Sequence, residues 1–482
     1  MKRSINCLSD EDERPSKPKR AKCTNQADAH ASSDDRSDPL PSAAAPESDP
    51  TDKAEVDLSS RAAYRDVPLV HGDNTNIRVL RILPEKTRGH ITCELTVVPV
   101  RGQVTYTALS YVWGEVRYPR SISLNDRLVA VRENLWQFLN QMYQECRTGY
   151  FWIDALCINQ FDIQERNHQV KMMGEIYSTA EQVVVWLGPE PDLPRHERLL
   201  NTIWLAICTP SSTYNRYEKL RNCMQRLSAN SYWRRTWTVQ EFVLAQCIEI
   251  RSGPDVLDEH TLRKLYEFDK LPGDLPSEVV RSEKDLDAEW DSTATSFIRL
   301  RNTRRNRLDP ARATDQATRT SIAGFKKVTE EVRAPSLREL VIQFAETECG
   351  DPRDHVYALL SLVDPEELER VPMSPDYSKP KHELLLDLTQ ISFIYWSFVG
   401  RNFGDRPWAT NRFSNEVSAW ARLLGIKNPD AARHHAIRVV ADGSSSTTFK
   451  AKASKPWLDH RLSGSGRDFL LAIDASDIVS RN

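Results

Sequence analysis

The chain has 482 residues and a mass of 55.2 kDa, with 65 Lys and Arg against 68 Asp and Glu, a net charge of −3. At about 150 residues per domain, this length predicts two to three domains. The near-neutral balance excludes a protein that coats nucleic acid through excess basic charge. No apolar run approaches the roughly 18 residues of a membrane helix, so no span is expected.

Residues 1–60 hold no Phe, Trp or Tyr and are rich in Ser, Asp, Ala and Pro, which predicts a disordered tail. The start runs into Asp10-Glu11-Asp12-Glu13 with no apolar stretch, so no secretory leader is expected. Nine cysteines occur without a CxxC pair, which reads as free thiols in a reducing compartment. The expectation is a cytoplasmic protein. Lys17-Pro18-Lys19-Arg20-Ala21-Lys22 resembles a nuclear localisation signal and makes the nucleus the alternative to a merely solvated basic run. The chain lacks G-x-G-x-x-G, Walker, G-x-S-x-G and HExxH motifs, so the common nucleotide-fold, hydrolase and metalloprotease readings lose support.

From 61 to 255 strands and helices alternate. Thr107–Trp113 reads as a strand, and 120–124 with 128–131 as a hairpin. Leu135, Phe138, Leu139 and Met142 recur at helical spacing. Strands are predicted at 150–154, 182–188 and 247–250. Asp162 and Glu165 have capping-box form at the head of a helix to about Ala180, and another helix is expected from Tyr232 to Ala245. This alternation predicts an α/β fold, a mostly parallel sheet flanked by helices. Residues 256–335, with Arg299, Arg301, Arg304, Arg305 and Arg307, read as a solvated linker or insertion rather than a nucleic-acid patch, because no aromatics interleave. Residues 336–482 read as a mainly helical C-terminal region, with one helix over Leu384–Phe398 and loops at 444–448 and 463–466.

Three blocks resemble the fungal heterokaryon incompatibility (HET) domain. They are Tyr106-Thr107-Ala108-Leu109-Ser110-Tyr111-Val112-Trp113-Gly114, the run from Trp152-Ile153-Asp154 to Val185-Trp186-Leu187-Gly188, and Tyr232-Trp233-Arg234-Arg235-Thr236-Trp237-Thr238-Val239-Gln240-Glu241. Asp351-Pro352-Arg353-Asp354 and Pro375-Asp376-Tyr377-Ser378 match segments that often follow such a domain. The resemblance implies a role in fungal nonself recognition as an effector of programmed cell death. The family is also similar in outline to the TIR fold, some members of which cleave NAD. By that analogy Glu241, in Trp237-x-x-x-Glu241, stands where a TIR glycohydrolase places its carboxylate. No cofactor is expected, NAD being the candidate substrate.

On the helix expected from Tyr232, Trp233, Trp237, Glu241 and either Leu244 or Ala245 share one face. A carboxylate among tryptophans either finds donors or has its pKa raised. It then serves as the catalytic group of N-glycosidic cleavage, or as a structural partner of Arg234, Arg235 or Arg166. Arg166 and Gln169 lie on or beside the apolar stripe of their helix, where they meet a phosphate or pair with a buried acid such as Asp154. Ligand crevices form at the carboxyl ends of parallel strands, which adds Ser110, Tyr111, Trp113, Gly114 and Asp154 to Arg166, Gln169 and Trp237 as candidates for nucleotide binding. Trp113 could stack on a base there. Cys157 reads as a buried thiol. The competing reading is a non-catalytic module that self-associates or docks an incompatibility partner.

Overall fold

A computed structural model describes residues 61–69, 75–115, 119–189, 193–208, 213–267, 293–308, 334–370, 372–403 and 407–441. The expectations for the tail 1–60 and for the loops at 444–448 and 463–466 lie outside them.

The chain opens with a hairpin the sequence reading had missed, β1 (Asn76–Thr87) and β2 (His90–Pro99). Its turn, Arg88-Gly89, is left-handed at both positions (φ 52° and 82°), as a tight hairpin turn demands. Then come β3 (Tyr106–Tyr111) and the expected hairpin β4 (Arg120–Leu124) and β5 (Arg127–Val131). Helix α1 (Glu133–Gln144), β6 (Tyr150–Trp152), α2 (Ile163–Thr179) and β7 (Gln182–Trp186) follow. After α3 (Leu199–Cys208) and α4 (Thr213–Ser228) come α5 (Thr236–Leu244), β8 (Ile248–Ser252) and β9 (Asp255–Asp258).

These strands form a nine-stranded sheet in the order β5-β4-β2-β1-β6-β3-β7-β8-β9. Its centre, β6-β3-β7-β8, is parallel, as expected. Antiparallel strands β1 and β9 extend it on either side. The chain crosses from β6 on one side of β3, through α2, to β7 on the other. Such a crossing leaves an opening beyond the strands' carboxyl ends.

Helices cover both faces because neighbouring residues of β6 point opposite ways. Phe151 meets Phe138 of α1 edge-on at 5.8 Å, and Trp152 meets Tyr177 of α2 at 5.4 Å. Asp162 caps α2 by accepting from the backbone N–H groups of Gln164 and Glu165. The Glu165 side chain does not complete the expected capping box. Its two oxygens accept from Arg78 of β1 at 2.5 and 2.9 Å, and Oε1 also accepts from the Asn159 N–H. Arg78 spends its other donors on the carbonyls of Val67 and Cys157. This buried pair explains the missed strand. Arg78 points inward where alternation calls for an apolar residue.

The remaining described elements are helical: besides the short helices Asp354–Tyr357 and Pro365–Arg370, they include α6 (Glu259–Glu267), α7 (Thr293–Leu308), α8 (Leu337–Gln343), α9 (Lys381–Phe403), α10 (Pro407–Leu423) and α11 (Pro429–Ala441). The Arg cluster expected on a solvated linker instead lies on α7, and Arg301 is buried. Its guanidinium donates to the carbonyls of Phe242, Val243 and Ala245 and pairs with Glu259 at 3.0 Å. It thereby satisfies carbonyls that the end of α5 leaves without helical partners. Trp233, Phe242, Phe297 and Phe344 form a run of edge-on aromatic contacts from the sheet side into α7 and the end of α8. Among the described residues no helix is long and apolar enough to cross a membrane.

Candidate functional site

Strands β3 and β6 run in parallel register, Ala108 beside Trp152, so both chains leave the sheet at the same edge. Beyond β3 come Val112, Trp113 and Gly114. Gly114 has φ 75°, a conformation that suits glycine. Beyond β6, Asp154 opens a single helical turn, Asp154–Cys157. The Trp113 indole Nε1 donates to Asp154 Oδ2 at 2.8 Å and so ties the two loops together.

The third block enters from the side. The helix expected over Tyr232–Ala245 is broken: Ser231–Arg234 forms a 3-10 turn, Arg235 is extended (φ −78°, ψ 127°), and α5 begins at Thr236. The Arg234 carbonyl accepts from the Glu348 N–H, and the Thr236 N–H donates to the Glu348 carbonyl. Those downstream bonds take backbone groups that a continuous helix would use. Trp233 consequently leaves the face shared by Trp237 and Glu241 and joins the aromatic core.

Arg235 is the hub of the edge. It donates through Nη1 to the Tyr111 carbonyl at 2.5 Å and through Nη2 to Asp154 Oδ2 at 3.2 Å. Nη1 also lies 3.8 Å from Glu241 Oε1. Glu241 is wholly buried. Its Oε2 accepts from the Ser110 hydroxyl at 2.6 Å, and Ser110 shares a 2.8 Å bond with the Tyr232 hydroxyl. Oε1 has no hydrogen-bond partner among the described residues. Burial pushes the Glu241 carboxyl up to about 7; Arg235 opposes this, Asp154 adds to it, and the hydroxyls of Ser110 and Tyr177 pull it back. Arg235 feels burial pulling its pKa down, but Glu241 and Asp154 outweigh that and hold it raised.

A cavity of about 690 Å³ opens above this hub, within the range of small-molecule sites. From the sheet side it is lined by Trp113, Gly114, Arg132, Asp154, Arg166, Arg235 and Trp237. From downstream it is lined by Glu348, Cys349, Gly350, Asp351, Asp354 and Tyr377. Of the nine residues read from the sequence, Trp113, Gly114, Asp154, Arg166 and Trp237 stand on the wall. Ser110, Tyr111 and Glu241 lie in the buried layer that Arg235 touches. Gln169 belongs to neither group: its amide donates to the Asn76 carbonyl at the start of β1, away from the cavity.

The Trp113 ring stands on the cavity wall with the guanidinium carbons of Arg132 and Arg235 5.2 and 5.6 Å from its centroid, so it orients these cations as well as Asp154. Cys157 is buried, and burial pushes its thiol up to about 12, far from a thiolate nucleophile. Among the described residues no three His, Cys, Asp or Glu side chains are grouped to hold a metal ion.

The downstream wall was not read as part of the site. Its signal was present in Asp351-Pro352-Arg353-Asp354 and Pro375-Asp376-Tyr377-Ser378. Arg353 is held by the Asp351 carboxylate at 2.6 Å and by the carbonyls of Tyr377 and Lys379. The Tyr377 hydroxyl donates to Asp354 Oδ1 at 2.5 Å. Burial raises the Asp354 carboxyl, with Tyr377 and Trp237 pulling the other way.

Residues 106–241, which hold the parallel centre and the hub, match the profile of the family described as heterokaryon incompatibility protein (HET). The chain carries a heterokaryon incompatibility domain. It is also 27% identical over 242 residues to "Heterokaryon incompatibility protein 6, OR allele" of Neurospora crassa. The similarity covers 40% of this chain, which spans 36% of the length of that relative. No solved structure matches the chain significantly. The HET match ends at Glu241, so the downstream wall of the cavity lies outside it.

Proposed function

We propose that the chain acts in fungal nonself recognition as an incompatibility effector of cell death, and that its cavity binds NAD and hydrolyses the nicotinamide–ribose bond. The incompatibility role is supported by the HET match and by the name of the relative. The observation that carries the chemistry is the Glu241 carboxyl, poised near neutrality one guanidinium away from the cavity wall. In the proposed step the C1′–N bond breaks and its electron pair leaves with nicotinamide. Water adds to C1′, and its proton passes to solvent. The ribose passes through an oxocarbenium-like state, which a carboxylate stabilises. Arg235 must swing from Asp154 toward the ligand phosphates for Glu241 to face the sugar.

Full burial of Glu241, with Oε2 bonded to Ser110, favours a second reading. There the hub is framework, and the chain signals by self-association or by docking a partner. The full chain, which keeps the downstream wall, is to be assayed for NAD loss beside Glu241→Gln, with thermal melts to show that both fold. Loss of NAD with wild type alone is expected. NAD left intact by both folded proteins would overturn hydrolysis and leave the docking reading.

A further inference from the structure

The cavity's cations are unequally committed. Arg235 sits between two carboxylates. Arg132 donates to the Gly114 carbonyl. Arg166, on the first turn of α2, has no carboxylate within ion-pair distance among the described residues, although it lines the cavity. What holds it is aromatic: its guanidinium carbon lies 5.5 Å from the Tyr377 ring centroid. Tyr377 is fixed in turn by its hydroxyl on Asp354 and by Arg353, 5.3 Å from the same ring. An unneutralised guanidinium on a cavity wall, held against an aromatic ring, is a receptor for a planar or tetrahedral anion.

Resting on the nucleotide reading above, we infer that Arg166 binds a phosphate of the ligand and that Tyr377, from outside the HET match, is the residue that positions it. The site is therefore shared between α2 and the downstream segment. Occupancy fastens the two together, because the same arginine touches the phosphate on one side and Tyr377 on the other. Asp351 and Asp354 remain on the wall to face hydroxyl donors of the ligand.

The test is calorimetry on the full chain with ADP-ribose, which has no nicotinamide to lose, and with adenosine, which has no phosphate. Wild type is expected to bind ADP-ribose at least about 10-fold more tightly than adenosine, the scale of one charge-assisted contact. Arg166→Gln should remove that preference and leave adenosine affinity unchanged. Tyr377→Leu should weaken ADP-ribose about 3-fold, Tyr377→Phe less, and Tyr377→Leu should add nothing in the Arg166→Gln background. If the Tyr377 variants bind like wild type, or if the two penalties add, the positioning role is overturned while nucleotide binding stands. If wild type binds neither compound, the nucleotide reading falls with it.

Discussion

Arg78 with Glu165 and Arg235 with Glu241 are both buried pairs of opposite charge, yet their surroundings differ at every atom. Arg78 and Glu165 meet in two parallel bonds, and two carbonyls and a backbone N–H bond the pair further. Arg235 and Glu241 stand 3.8 Å apart, and Glu241 Oε1 has no hydrogen-bond partner among the described residues. Arg235 instead divides itself between Glu241, Asp154 and the Tyr111 carbonyl. A pair saturated on all sides has one geometry and serves as framework. A pair left incomplete beside a cavity can exchange partners when a ligand arrives, and that is where chemistry belongs.

The largest expected effect comes from the saturated pair. Arg78→Met leaves Glu165 charged and buried without its partner and should cost about 3–5 kcal/mol in denaturant unfolding. A loss below about 1 kcal/mol would show that the pair is not framework. The second test uses pH. The folded chain holds the Glu241 proton up to about pH 7, whereas the unfolded chain releases it near the ordinary 4.5. Glu241 therefore favours the folded state fully below pH 4.5, and that contribution is lost as pH rises to about 7, by about 3 kcal/mol. Glu241→Gln should flatten this part of the stability–pH curve. An unchanged slope would place its origin elsewhere. The smallest effect is expected for Arg235→Met, at about 1–2 kcal/mol at pH 7, because Glu241 can answer by keeping its proton. A cost equal to that of Arg78→Met would erase the distinction between the pairs.

Much of the fold was legible. The parallel strands are short apolar runs, and α1 carries a clear helical stripe, so local pattern indicated their type. What escaped shares one cause, a tertiary partner that overrides a local pattern. Arg78 breaks the alternation of β1 because Glu165 waits across the sheet. Arg235 breaks the predicted helix because Glu348 takes the neighbouring backbone bonds. Arg301 reads as a solvent-facing charge because the carbonyls it caps are more than fifty residues away in sequence. The site was half legible for the same reason. Residues at the ends of β3 and β6 follow from strand order, whereas Asp354 and Tyr377 reach the cavity only through packing that no local period records.

Gly174 of α2 illustrates how tightly that packing binds the two halves: a Cβ there would lie 2.5 Å from the Ser361 Cβ. Ser361 also donates to Gln240 of α5 at 2.6 Å, and Thr236 shares a 2.9 Å bond with Thr347. These meeting points have a consequence for exchange of parts between related genes. A chimera that transplants only residues 106–241 brings foreign neighbours to Thr347, Glu348 and Ser361. One that carries the stretch through Tyr377 travels with its own. The heritable module is thus longer than the matched segment that advertises it.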